Sequence, residues 1–186
     1  EANGRVDPST AYTSDLRAEP NVLFRGTPNG RFVEIDPKGG TTQTLIHSSR
    51  GTAVGDIDND GGLDLLVVNR DGPAYLLMNR VSELGNWVRF KVLLREGRDA
   101  HGALVTAIVG SNKITRRVQP EGSYLDSNDP RVHFGLSTES RIRDVEVRWP
   151  TGKTEIFGNF DAGSTVYLRE GEGTVRRIDA PKPVTP

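Results

Sequence analysis

The chain has 186 residues, 24 Lys and Arg against 25 Asp and Glu, no Cys, 21 Gly and 11 Pro. A formal net charge of −1 removes the electrostatic case for nucleic acid or an anionic membrane as partner, and the lack of Cys excludes thiol catalysis and zinc–thiolate sites without fixing the redox compartment. No run approaches the ~18 apolar residues of a transmembrane segment, and a chain of this length supports one large domain or two small ones without disulfides.

In chain order, residues 1–20 are polar and aperiodic and read as an extended N-terminal arm. From Asn21 to about Arg80 come strand-length apolar runs at 22–25, 31–35, 52–55, 64–69 and 74–79, bounded by turn signals such as Thr27-Pro28-Asn29-Gly30 and Arg70-Asp71-Gly72-Pro73. Asn21–Arg25 is weakly echoed by Ala74–Met78, about 53 residues on, close to the spacing of propeller blades. Residues 21–80 therefore read as one blade. A second domain, 86–170, opens with Val88, Phe90, Val92 and Leu94 alternating with Arg89, Lys91, Leu93 and Arg95, the period of a strand with one buried face. The pattern returns at 103–109, at 143–149 with Val145, Val147 and Trp149 facing inward, and at 165–169. Short strands with turns between them and no convincing amphipathic helix predict an all-β chain, a partial propeller-like blade followed by a small β-sandwich or barrel. Residues 171–186, rich in Gly, charge and Pro, read as a tail ending in extended strand or coil.

Inside the first domain, Asp56-Ile57-Asp58-Asn59-Asp60-Gly61-Gly62-Leu63-Asp64 places carboxylates at relative positions 1, 3, 5 and 9. Two such charges about 4 Å apart repel by roughly 1 kcal/mol in water and by more where water is excluded, so their convergence calls for a cation. The all-oxygen donor set suits Ca2+, with the backbone carbonyl of Gly62 between the third and fourth carboxylates and Gly61 allowing the sharp turn. An EF-hand would place a bidentate Glu at position 12 between helices. Position 12 is Val67 and the flanks are strand-like, so the loop joins two strands.

The predicted metal ligands are thus Asp56, Asp58, Asp60, Gly62 and Asp64, and no catalytic residue is predicted. His47, His101 and His133 have no metal-ligand spacing, and His133 between Val132 and Phe134 reads as structural. Ser123, His133 and Asp129 form a triad only on paper, since no nucleophile elbow surrounds the serine. Gly122–Pro130 carries turn chemistry in Ser127-Asn128-Asp129-Pro130 and is either a loop bracing the sandwich or one displaying Tyr124 to a ligand. The basic residues Lys113, Arg116, Arg117, Arg141, Arg143 and Arg148 are interleaved with Glu121, Glu139, Asp144 and Glu146, and read as solvated strand faces.

The stretch Arg50-Gly51-Thr52-Ala53-Val54-Gly55-Asp56 through Asn69 resembles the FG-GAP or VCBS repeat, and Pro20–Arg25 with Asn29-Gly30-Arg31-Phe32 is similar to the lead-in of that repeat. The second half is similar to the ASPIC/UnbV domain through Gly102-Ala103-x-Val105, Gly122–Pro130, Val132-His133-Phe134-Gly135-Leu136 and Val145–Pro150 with Gly152. The resemblance covers roughly residues 20–170 and implies a short member, or a fragment, of a cartilage acidic protein-like family of secreted β-propeller proteins. One calcium loop and one blade's worth of strands depart from a closed propeller, leaving strand edges and an apolar face that invite association. The blade belongs to a parent propeller, or is completed by the second domain, another copy or other protein subunits.

Because calcium modules binding at about 0.1–1 mM are characteristic of extracellular settings, a periplasmic or extracellular location is expected. The chain's first residue, Glu1, fits a processed or truncated chain. The function expected is that of a non-catalytic, calcium-binding structural or interaction subunit, in one form an accessory subunit of a membrane-anchored complex. A secreted adhesion or carbohydrate-binding module, with Tyr124, Tyr75 or Trp87 against a glycan, is the alternative. A metal-dependent hydrolase ranks below both.

Overall fold

The computed structural model describes residues 14–36, 40–80, 85–122 and 124–175. Most of the predicted arm and the tail beyond 175 lie outside them, as does Ser123 of the paper triad. The described chain is all-β, with fifteen strands in five sheets. No helix among the described residues is long and apolar enough to cross a membrane.

The chain divides into two compact units, one of Glu1–Val81 with Glu121–Asp129 and one of Ser82–Pro120 with Pro130–Pro186. In the first unit, β1 (Glu19–Pro20) pairs with β4 (Ile46–His47), and β2 (Phe24–Gly26) with β3 (Phe32–Glu34). The blade-like sheet is an antiparallel meander of β5 (Ser49–Gly55), β6 (Asp64–Asn69) and β7 (Tyr75–Leu77). Polar hydrogen bonds accompany the buried Val67 on one face of this sheet. Ser49 Oγ donates to Asn69 Oδ1 (2.7 Å), Asn69 Nδ2 donates to the Pro73 carbonyl (2.6 Å), and the Tyr75 hydroxyl bonds His47 Nε2 (2.5 Å). The opposite face of β6 and β7 exposes Leu66, Val68 and Leu76, with Leu66 and Leu76 side by side in register.

The second unit holds the hydrophobic core. One sheet runs β10 (Asn112–Arg117), β9 (Leu104–Val109), β12 (Arg141–Arg148), β13 (Thr154–Asp161), β15 (Thr174–Val175). The other runs β11 (Val132–Ser137), β8 (Asn86–Leu93), β14 (Ser164–Arg169), with β14 parallel to β8. Alternate residues of both sheets meet in one cluster: Val88, Phe90 and Val92 from β8, Val105 and Ala107 from β9, Val132 and Phe134 from β11, Val145 and Val147 from β12. The inward Val145, Val147 and Trp149 are observed, and so are Val88, Phe90 and Val92 on β8, but the opposite face of β8 is not solvated as expected: Arg89 and Leu93 are buried too, and Leu94 lies half-buried beyond the strand end. The sequence reading did not identify β4, β10, β11 or β13 as strands. β10 has a single apolar residue, Ile114, because it is an edge strand, and β13 is broken by Gly158 opposite a bulge at Val145.

A charged group is closed into this unit. Glu155 on β13 is fully buried; Lys153 Nζ lies 2.8 Å from its Oε1, and the Gly171 N–H donates to Oε2 (2.9 Å). Burial pushes its carboxyl up, but the hydrogen bond and charge of Lys153 and the N–H groups of Gly171 and Gly173 outweigh it and hold the carboxyl below its ordinary value. A depressed carboxylate stabilises the fold above its unfolded pKa and loses that contribution as pH falls through the folded one. Glu155→Gln should therefore lower stability by about 1–2 kcal/mol at neutral pH and flatten its acid dependence below the ordinary carboxylate range. Urea titrations from pH 7 to pH 3 would show this, and parallel curves for the two proteins would refute it.

Candidate metal centre

Residues 56–63 connect β5 to β6, and Gly55 pairs with Asp64 in the last rung of the ladder. Asp56 thus leaves one strand as Asp64 enters the next, and both carboxylates are buried, at 2% and 1% exposure. Backbone N–H groups hold them: Gly61 donates to Asp56 Oδ2 (2.8 Å), Ile57 to Asp64 Oδ2 (2.8 Å) and Asn79 to Asp64 Oδ1 (2.8 Å). The loop reverses through left-handed backbone at Asn59 (φ 61°) and Gly61 (φ 95°), which Asn tolerates and Gly adopts freely.

One ligand oxygen from each of Asp56, Asp58 and Asp64 lies within 4.8 Å of the other two. Asp60 is outside that group, with its Oδ1 accepting from the Gly62 N–H (2.7 Å). Three converging hard oxygen donors, two of them buried, fit a divalent cation of the Ca2+ or Mg2+ type. Sequence reading missed Arg80, whose exposed Nη1 lies 3.3 Å from Asp58 Oδ2, because a single Arg beyond β7 carries no motif. An arginine there would compete with a cation for Asp58. Arg80→Gln should tighten calcium binding about two- to fivefold, the value of an exposed ion pair, as titration calorimetry would measure. Unchanged affinity would count against it.

The other singled-out residues do not assemble into chemistry. His47 is bonded to Tyr75, and His133 stacks on Trp87 with centroids 6.3 Å apart and planes at 18°. Trp87 also carries the Arg89 guanidinium 4.5 Å from its ring centroid. Of the three candidate glycan-facing aromatics, Tyr124 is the exposed one, whereas Tyr75 and Trp87 are half-buried. The Gly122–Pro130 loop, read above as bracing the sandwich or displaying Tyr124, groups with the first unit through residues 121–129, where Asn128 and Asp129 bond the β5 edge at Val54.

Family comparisons agree with this architecture. Residues 3–67 match the FG-GAP-like repeat, and residues 94–175 match the ASPIC and UnbV domain. The chain is 36% identical to human cartilage acidic protein 1 and 34% identical to the Mus musculus protein, each over 155 residues, 77% of this chain and 22% of the relative. The Xenopus tropicalis protein is 33% identical over 148 residues, 72% of this chain and 23% of the relative. The chain thus matches less than a quarter of the length of these relatives. It carries an FG-GAP-like repeat and an ASPIC/UnbV domain, and over most of its length it is similar to part of cartilage acidic protein 1.

Proposed function

We propose that this chain is a non-catalytic interaction module acting outside the cytoplasm, which binds calcium in the 56–64 loop and docks through its blade onto other protein subunits or a parent propeller. The observation that carries the reading is the distribution of apolar side chains. Among the described residues, the buried hydrophobics of the first unit are Ala18 and Val67, whereas the second has a full core. The first unit instead exposes Phe24, Phe32, Val33, Leu66, Val68 and Leu76. Aliphatic and aromatic side chains gain roughly 1.5–3 kcal/mol each on full burial, so partial burial of six leaves several kcal/mol for a docking partner to recover.

Calcium would serve this module as a staple. Asp56, Asp58 and Asp64 would hold the ion, with Asp60 and the Gly62 carbonyl completing the set, and the charge it supplies offsets the repulsion among the carboxylates. An accessory subunit of a membrane-anchored assembly is one concrete form of the role. The test is native mass spectrometry of the protein isolated without denaturant in millimolar calcium. Co-purifying protein subunits, lost in a Leu66→Glu variant, are expected; a monodisperse monomer would overturn the docking reading.

A further inference from the structure

Strand β5 is a sheet edge, where alternate residues turn N–H and C=O outward. At Val54 both groups are taken by residues more than seventy positions away: its N–H donates to Asn128 Oδ1 (2.8 Å), and its carbonyl accepts from the Asp129 N–H (2.9 Å). Glycines permit the approach. A Cβ on Gly51 would lie 2.8 Å from the Tyr124 carbonyl oxygen, and one on Gly55 would lie 3.2 Å from Asp129 Cβ. Gly55 precedes Asp56 and pairs with Asp64, so segment 121–129 rests on the residue that adjoins both buried carboxylates. At its other end Tyr124 and Leu125 are 65% and 87% exposed. Leu125 has a φ of 51°, a left-handed conformation that a branched apolar residue seldom adopts and that persists where surrounding structure imposes it.

Building on the calcium reading above, we propose that occupancy of the 56–64 loop is transmitted to segment 121–129, so that the cation latches this segment onto β5 and fixes how Tyr124 and Leu125 face a protein partner. Without a cation, repulsion between Asp56 and Asp64 acts across the Gly55–Asp64 rung, and the outward groups of Val54 share its motion. A cation draws the two carboxylates together and steadies the rail to which Asn128 and Asp129 bind. Coupling of this kind is reciprocal: what the metal does for the latch, the latch does for metal affinity.

The experiment is amide-resolved hydrogen exchange on the full chain, without and with saturating calcium, with binding heat measured on the same samples. Exchange at the Val54 and Asp129 N–H groups should slow about tenfold or more on loading. Asn128→Ala should bind calcium about fivefold more weakly, and Asn128→Asp, which keeps an oxygen acceptor for Val54, should recover most of that. Calcium binding that slows exchange within 56–64 but not at Val54 and Asp129 overturns the coupling and leaves the metal reading standing. Absence of binding heat overturns both. The wild-type exchange needs no variant, so the test decides even where Asn128→Ala fails to fold.

Discussion

In calcium at a hundredfold excess over its dissociation constant, the sheet of β5–β7 should gain about 2.7 kcal/mol, and Asp64→Ala should abolish that gain. The opposing terms make the metal dependence the sharpest readout. Truncating Asp64 strands the Ile57 and Asn79 N–H groups, at a cost of about 1–2 kcal/mol each. It also removes one of three converging charges, and at an effective dielectric near 20 each pair at that separation repels by roughly 3 kcal/mol before salt screening. Two pairs involve Asp64, so in the metal-free protein the relief of repulsion offsets or exceeds the cost of the stranded N–H groups, and stability without calcium should not fall. With calcium the balance reverses, because the wild-type repulsion becomes ligation and the variant has lost a buried ligand. Denaturant melts of both proteins, with chelator and with 10 mM calcium, would measure the difference. An equal calcium-induced gain in the two would refute the assignment of Asp64.

Phe90→Ala should destabilise the second unit by about 3–5 kcal/mol, a third or more of the stability of an ordinary domain. Phe90 is fully buried on β8 and meets Phe134 (5.7 Å, 72°) and Phe160 (5.5 Å, 67°) edge to face. Its ring joins the two sheets, because Phe134 belongs to β11 and Phe160 to β13. Truncation therefore removes transfer free energy, opens a cavity between the layers and loses two aromatic contacts worth about 0.5–1.5 kcal/mol each. Phe90→Leu, which fills most of the space, should cost under half as much. A midpoint in urea that does not move for Phe90→Ala would mean that this core is not what holds the sheets together.

The apolar face of the blade and the carboxylate cluster pull against stability in the same unit. Leu66, Val68 and Leu76 remain exposed, and Asp56 and Asp64 are buried close together. Each feature raises the free energy of the isolated unit, and on the function proposed above each would be relieved by binding, of a protein surface for the first and a cation for the second. That combination is expected of an interaction element and would be poor design in a self-sufficient domain.

What the sequence by itself determined follows from local rules. Alternation through Val88, Phe90 and Val92 marked the face of β8 that enters the core, since the side-chain period of a strand is two, though not the burial of Arg89 and Leu93 on the other face. Acidic residues at positions 1, 3, 5 and 9, with Asn59 and Gly61 to turn the backbone, put Asp56, Asp58 and Asp64 within reach of one another. The tertiary structure alone decided the rest. β10 and β13 carry too little periodic apolar character to be read, one lying at an edge and the other interrupted by a bulge. The orientation of Asp60 toward the Gly62 N–H and the arrival of Arg80 at Asp58 depend on loop geometry and on a residue beyond the motif. Asn128 and Asp129 read locally as turn residues. Their bonds to Val54 are set by which polar groups an open strand edge leaves unsatisfied, and that is known only once the chain has folded.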